Sequence, residues 1–179
     1  MKEMNVNNRT FKVIKLLGKG KGGYSYLVTD GKSQYVLKQI HHEPCEYYQF
    51  GNKIQSEIND YKTLENIGIN IPKLIDVDID NERILKEYIE GETIFELVLN
   101  DKMEQKYLDQ IRDMCSLLYE NKINIDYFPT NFVVENEKIY YIDYECNKYM
   151  DEWNFENWGI KYWSQTEEFL KYVEKQKLL

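Results

Sequence analysis

Three glycines in the spacing G-x-G-x-x-G, set between two β-rich runs, constrain this chain more than any other feature. Residues 17–28, LGKGKGGYSYLV, place Gly18, Gly20 and Gly23 in that spacing. The run before them, FKVIKLLG (residues 11–18), alternates, and the run after them, YSYLVTD (24–30), is aromatic and β-branched. A dinucleotide-binding βαβ unit needs a helix directly after its glycines and an acidic residue about 20 positions on. Here a strand follows and Lys38 stands at that distance. A Walker A loop ends in Gly-Lys-Ser/Thr, whereas Gly23 is followed by Tyr24 and Ser25. What remains is a glycine-rich hairpin. Such a hairpin lets backbone amides approach phosphates with no Cβ in the way, and the same residues also suit an ordinary hairpin tip.

The rest of the chain supplies the context. Asp30-Gly31 is a turn signal, and QYVLKQI (34–40) reads as a third strand. Residues 46–66 read as a helix with Ile54, Ile58, Tyr61 and Leu64 on one face. IPKLIDVDI and RILKEYI are two further strands joined at Asp80-Asn81-Glu82. TIFE (93–96) has the form of a capping box, and residues 103–121 form a helix striped by Leu108, Ile111, Cys115 and Leu118. NFVVENEKIYYID is a hairpin around Asn136-Glu137, and SQTE (164–167) is a second capping box that opens a C-terminal helix. Five strands with one helix after the third, then mostly helix and one hairpin, predict an α+β fold rather than alternating βαβ units. The expected layout is one domain over residues 1–179 with two lobes. The N-lobe, about 1–90, is a five-stranded antiparallel sheet plus one helix. The C-lobe, about 91–179, is reduced and mainly helical, with the boundary near Glu90-Gly91.

A formal charge of −8 and a pI near 4.9 argue against a nucleic-acid or anionic-membrane surface, which needs a basic footprint. Cys45, Cys115 and Cys146 form no CxxC pair, and His41 and His42 have no cysteine at metal spacing, so neither disulfides nor structural zinc are expected. Without an apolar run of about 20 residues, the expectation is a soluble cytoplasmic chain.

Five polar side chains stand out against this background. Lys38 ends the apolar run YVLK on the face of Val36, where an ammonium needs a partner. Glu57 lies on the apolar face of the following helix, between Ile54 and Tyr61, and complements it, with Glu65 a weaker alternative. Asp126 and Asn131 flank Pro129 in a rigid loop, and Asp143 ends an apolar strand twelve residues later. Asn131 and Asp143 offer the oxygen ligands that Mg2+ favours, which leaves Asp126 to orient a hydroxyl and accept its proton. Taken singly, each of these residues also reads as a turn cap, a strand end or a solvated charge.

In this order the residues resemble the protein-kinase-like superfamily over about residues 11–163. The resemblance implies that Gly18, Gly20 and Gly23 cover the phosphates of ATP and that Lys38, paired to Glu57, contacts them. In KEYIEG (86–91), the Glu87 carbonyl and Ile89 amide would face adenine. Asp126 would be the catalytic aspartate, with Asn131 and Asp143 as magnesium ligands. There are departures from the pattern. Asn124-Ile125 replaces His-Arg, Phe128 replaces the lysine of serine/threonine kinases, and Tyr144-Glu145 replaces Phe-Gly after Asp143. IDYE is similar to choline and aminoglycoside kinases. The 36 residues after Asp143 are few for a full peptide-binding subdomain. The chain is most similar to compact bacterial kinases often labelled serine/threonine kinases, with RIO-like brevity. The resemblance implies phosphoryl transfer from ATP to a Ser/Thr hydroxyl on protein. A small-molecule hydroxyl is one alternative acceptor, and a nucleotide-binding pseudokinase is an alternative role. Neither nucleic acid nor membrane is expected as a partner. The aromatic segment 146–163 is expected to pack as core.

Overall fold

A computed structural model describes residues 1–43 and 52–179. Cys45 and positions 46–51 of the first expected helix lie outside the described residues. By its contacts the chain divides into two units, Met1–Tyr61 with Pro72–Tyr88, and Lys62–Ile71 with Ile89–Leu179.

The first unit is built on a six-stranded antiparallel sheet: β1 (Glu3–Val6), β2 (Arg9–Lys19), β3 (Gly23–Thr29), β4 (Gln34–Ile40), β5 (Leu74–Asp78) and β6 (Arg83–Glu87), in the order β1-β2-β3-β4-β6-β5. The expectation of five strands is corrected by β1. Its only apolar residues, Met4 and Val6, alternate with Glu3 and Asn5 in a polar stretch, a period too short to read from sequence. They are nevertheless buried on one face with Phe11, Val28, Leu37 and Leu85. The Asp78 carboxylate ties two turns together. It accepts from Asn81 N–H at 3.0 Å, from the Asn81 side-chain amide at 3.0 Å and from Asn7 N–H at 2.8 Å. These bonds, that of the Asn81 side chain foremost, hold its carboxyl below the usual carboxylate range. Helix α1 (Lys53–Ile67) begins in this unit with Ile54 buried and ends in the second with Leu64 buried.

The second unit contains α2 (Ile94–Leu99), α3 (Gln105–Glu120) and α4 (Glu167–Lys177). Its β structure exceeds the single expected hairpin. The strands β7 (Glu92–Thr93), β9 (Phe132–Glu135) and β10 (Lys138–Tyr141) form one sheet, and β8 (Ile123–Ile125) pairs with β11 (Cys146–Lys148). Gly91, just before β7, has to be glycine, because a Cβ there would sit 1.8 Å from the Val134 carbonyl oxygen. The capping box of α2 forms in both directions: Glu96 N–H donates to Thr93 Oγ1, and Thr93 N–H donates to the Glu96 carboxylate. At α4 the cap is Thr166, which accepts from Phe169 N–H, and not Ser164, whose carbonyl closes a turn on Thr166 N–H. The buried stripe of α3 is Tyr107, Ile111, Met114, Cys115 and Leu118, packed with Phe132, Tyr141, Phe155 and Trp163. Burial pushes the Cys115 thiol up to about 12, which leaves it an inert core group. Of the aromatic segment, Phe155 and Trp163 are core, with the Trp163 indole N–H donating to the Tyr127 carbonyl at 2.7 Å, while Trp153 is exposed. Among the described residues no helix is long and apolar enough to cross a membrane.

Candidate functional site

The candidate residues fall into two sets, one in each unit. In the first unit, Lys38 sits mid-strand in β4 between Ser25 of β3 and Ile84 of β6. Strand alternation turns Leu37 into the cluster around Phe11 and Lys38 to the opposite face. Its ammonium lies 2.6 Å from Glu57 Oε1, and the side chains are 15% and 10% exposed. One turn of α1 places Glu57 beside Ile54, so the helix that buries Ile54 also delivers the carboxylate.

The glycine loop joins β2 to β3. A Cβ at Gly23 would come within 2.4 Å of the Gln39 carbonyl oxygen, so the close approach of β4 requires glycine there. Gly18 and Gly20 have open space at that position, with nothing nearer than 3.9 Å. The glycine nearest the lysine is one the spacing pattern passes over. A Cβ at Gly22 would lie 3.5 Å from Lys38 Nζ. Glu87 ends β6 in register with Tyr35, and its N–H donates to the Lys73 carbonyl; Ile89 opens the second part of the other unit and is buried.

In the second unit, two short ladders bring Asp126, Asn131 and Asp143 together. The β9–β10 hairpin turns at Asn136 and Glu137, both in the left-handed region at φ 49° and 65°, as a tight two-residue turn demands. Its last registered pair is Phe132 with Tyr141, and one step further Ile142 N–H donates to the Asn131 carbonyl at 2.9 Å. Twelve residues of separation thus close to adjacency. The β8–β11 ladder ends at Ile125 opposite Cys146, which sets Asp126 beside Glu145. The buried Tyr141 phenol fastens this corner. Its hydroxyl donates to the Glu145 carbonyl at 2.7 Å and accepts from Asp126 N–H at 3.3 Å. Burial, reinforced by the charges of Asp143 and Asp126, raises its pKa well above the ordinary phenol value, so the donor proton stays in place.

Within the loop, Asp126 Oδ1 accepts from Phe128 N–H at 3.1 Å, and the Asn131 side-chain amide donates to the Asp126 carbonyl at 3.3 Å. That second bond uses the Asn131 amide nitrogen, so the amide oxygen is the atom Asn131 would offer a cation. Asp143 Oδ1 accepts from Tyr144 N–H at 2.8 Å and Glu145 N–H at 3.3 Å, which leaves Oδ2 as its oxygen for a cation. Both oxygens are hard donors of the type Mg2+ prefers. Among the described residues no group of three or more His, Cys, Asp and Glu converges as a metal cluster. A cation held by Asn131 and Asp143 would therefore complete its shell with phosphate and water oxygens. Asn124, at the position usually occupied by histidine, is buried and donates to the Met150 carbonyl at 2.9 Å, a bracing role.

No family model matches the chain. Part of it is similar to a probable bifunctional tRNA threonylcarbamoyladenosine biosynthesis protein of Methanococcus vannielii, with 32% identity over 89 residues, which is 49% of this chain and 16% of that protein. It is also similar to the KEOPS complex subunit Bud32 of Pyrococcus abyssi, with 31% identity over 90 residues, 49% of this chain and 41% of the relative. A protein of Methanocaldococcus jannaschii with the same description as the first gives 31% over 86 residues, 48% of this chain and 15% of the relative. The chain thus spans less than half the length of each of these relatives. They do not carry the narrower resemblance to compact bacterial serine/threonine kinases. Since two of them are named for tRNA modification, the acidic net charge does not suffice to set nucleic acid aside. Together with the order of the site residues, these matches support membership of the protein-kinase-like superfamily.

Proposed function

We propose that this chain is an ATP- and Mg2+-dependent phosphotransferase that delivers the γ-phosphoryl group to a hydroxyl presented at Asp126. The observation that carries the reading is the Lys38–Glu57 ion pair lying beside Gly22 of the glycine loop, which holds a cation ready for phosphate oxygens. Lys38 neutralises phosphate charge, and the backbone of the glycine loop covers it. Asn131 and Asp143 hold Mg2+, which when bound supplies charge neutralisation at the phosphates. Asp126, its carboxylate anchored by Phe128 N–H, orients the acceptor hydroxyl and takes its proton. Catalysis of this kind is mostly placement and charge stabilisation. The favoured acceptor is a Ser or Thr hydroxyl on a protein. The Pyrococcus relative is named as a subunit of a complex, which supports a protein partner here too.

The test is transfer from labelled ATP in the presence of Mg2+, with protein, small-molecule and self acceptors compared. Wild type should transfer, and Asp126→Ala should be slower by roughly a hundredfold or more while still binding nucleotide. Binding without transfer to any acceptor would instead identify a pseudokinase module. Equal rates in wild type and Asp126→Ala would remove Asp126 from its role.

A further inference from the structure

The glycine loop of this chain is held from outside by residues that no spacing motif includes. Three successive carbonyls of the loop are taken up by the segment following β4 and by the first residue of α1. His41 Nε2 meets the Gly20 carbonyl at 2.9 Å, Lys53 Nζ donates to the Lys21 carbonyl at 3.5 Å, and His41 N–H donates to the Gly22 carbonyl at 3.2 Å. Lys53 is only 4% exposed, and its ammonium also donates to the His41 carbonyl at 2.5 Å, so it ties strap and loop together. The His41 tautomer follows from its two contacts. Glu43 N–H donates to Nδ1 at 3.3 Å, which leaves the ring proton on Nε2 facing Gly20. Glu43 completes the strap, accepting from the Tyr24 hydroxyl at 2.5 Å and pairing with Lys19 at 2.8 Å.

Peptide geometry gives this strap a consequence. In a trans peptide the C=O and the next N–H point in opposite directions. Carbonyls of Gly20 and Lys21 directed at the strap therefore turn the amides of Lys21 and Gly22 away from it. Gly22 lies beside the Lys38 ammonium. Adjacent outward amides next to a cation make an anion-binding concavity, and the carbonyls that would repel an anion are kept occupied elsewhere. We propose that His41 and Lys53 are positioning residues that set the glycine loop for a polyphosphate, a role that rests on the nucleotide reading above. Neither touches phosphate; both act through the loop backbone.

The experiment compares the affinity of the full chain for Mg·ATP and for adenosine, by calorimetric titration, in wild type, His41→Leu, His41→Gln, Lys53→Met and Lys53→Arg. The expected result is a roughly tenfold loss of Mg·ATP affinity in His41→Leu and Lys53→Met, the scale of one lost polar contact, with adenosine binding unchanged. His41→Gln and Lys53→Arg keep a donor and should recover most of the loss. Burial makes Lys53→Met the variant most at risk of misfolding, so the half-buried His41 pair decides the matter where Lys53→Met loses its circular dichroism. Equal loss for ATP and adenosine would reduce the strap to a general structural brace and overturn the proposal. So would unchanged Mg·ATP affinity in His41→Leu while wild type binds, an outcome that leaves the nucleotide reading intact. Failure of wild type to bind Mg·ATP would overturn both.

Discussion

The Lys38–Glu57 pair allows a stability prediction worked from geometry. At 2.6 Å and an effective dielectric near 20, the gross attraction is roughly 6 kcal/mol. Most of it is offset by desolvation, because the side chains are only 15% and 10% exposed. A net coupling of about 2 kcal/mol is the expected remainder, above the range of about 0–1 kcal/mol seen for surface pairs. Lys38→Met leaves the Glu57 carboxylate in this partly dry setting, and Glu57→Leu leaves the ammonium there. Each single variant should lose about 2–4 kcal/mol, while the double variant should lose less than the sum by the coupling. At about 2–4 °C per kcal/mol for a chain of this length, each single variant should melt lower by about 4–16 °C. Urea unfolding of the four proteins gives the cycle directly. Because the pair is shielded, the coupling should survive high salt. A coupling below about 0.5 kcal/mol, or one abolished by salt, would make this a surface pair and refute the reasoning.

Other outcomes follow from the same contacts. Gly91→Ala drives a Cβ to 1.8 Å from the Val134 carbonyl oxygen and should cost more than about 2 kcal/mol by parting β7 from β9. Gly18→Ala meets nothing within 4 Å and should stay within about 0.5 kcal/mol in thermal melts. Thr93→Ala removes the side-chain acceptor of the α2 capping box, the Oγ1 that takes Glu96 N–H, while its own backbone N–H can still donate to the Glu96 carboxylate; the loss should be about 1 kcal/mol in the same melts. Asp78 has a depressed folded-state pKa, so its carboxylate adds stability above the unfolded value of about 3.9, and that contribution is lost as pH falls from there towards the folded value. The melting-temperature advantage of wild type over Asp78→Asn should therefore be full at neutral pH and shrink below about pH 4; a gap that is constant with pH would contradict this assignment.

What could be read from the sequence was whatever local pattern encodes. The Asn136-Glu137 turn forces the hairpin register, and the register carries Asn131 to the end of β10 at Tyr141; Asp143, expected to end that strand, lies two residues past it. Lys38 and Glu57 were legible because each is a charge inside an apolar period. The strand β1 was not, since two apolar residues do not make a period, and the α4 cap slipped because Ser164 and Thr166 carry the same chemistry two positions apart. Gly22, His41 and Lys53 were missed for a different reason. Their bonds run to backbone carbonyls, which every residue possesses, so no spacing of side chains announces them. Tyr141 was hidden as one aromatic among many, and its role emerges only where two ladders end beside it.

The central claim is that Lys38 and Asp143 act on one nucleotide. Crystallography of the chain with Mn2+ and a non-hydrolysable ATP analogue tests it most directly, because manganese marks its own place by anomalous scattering. The account predicts the ion bound by Asp143 Oδ2 and the Asn131 amide oxygen, with phosphate oxygens of the same molecule on Lys38 Nζ. A metal held by other residues, or a nucleotide whose phosphates lie away from Lys38, would contradict it.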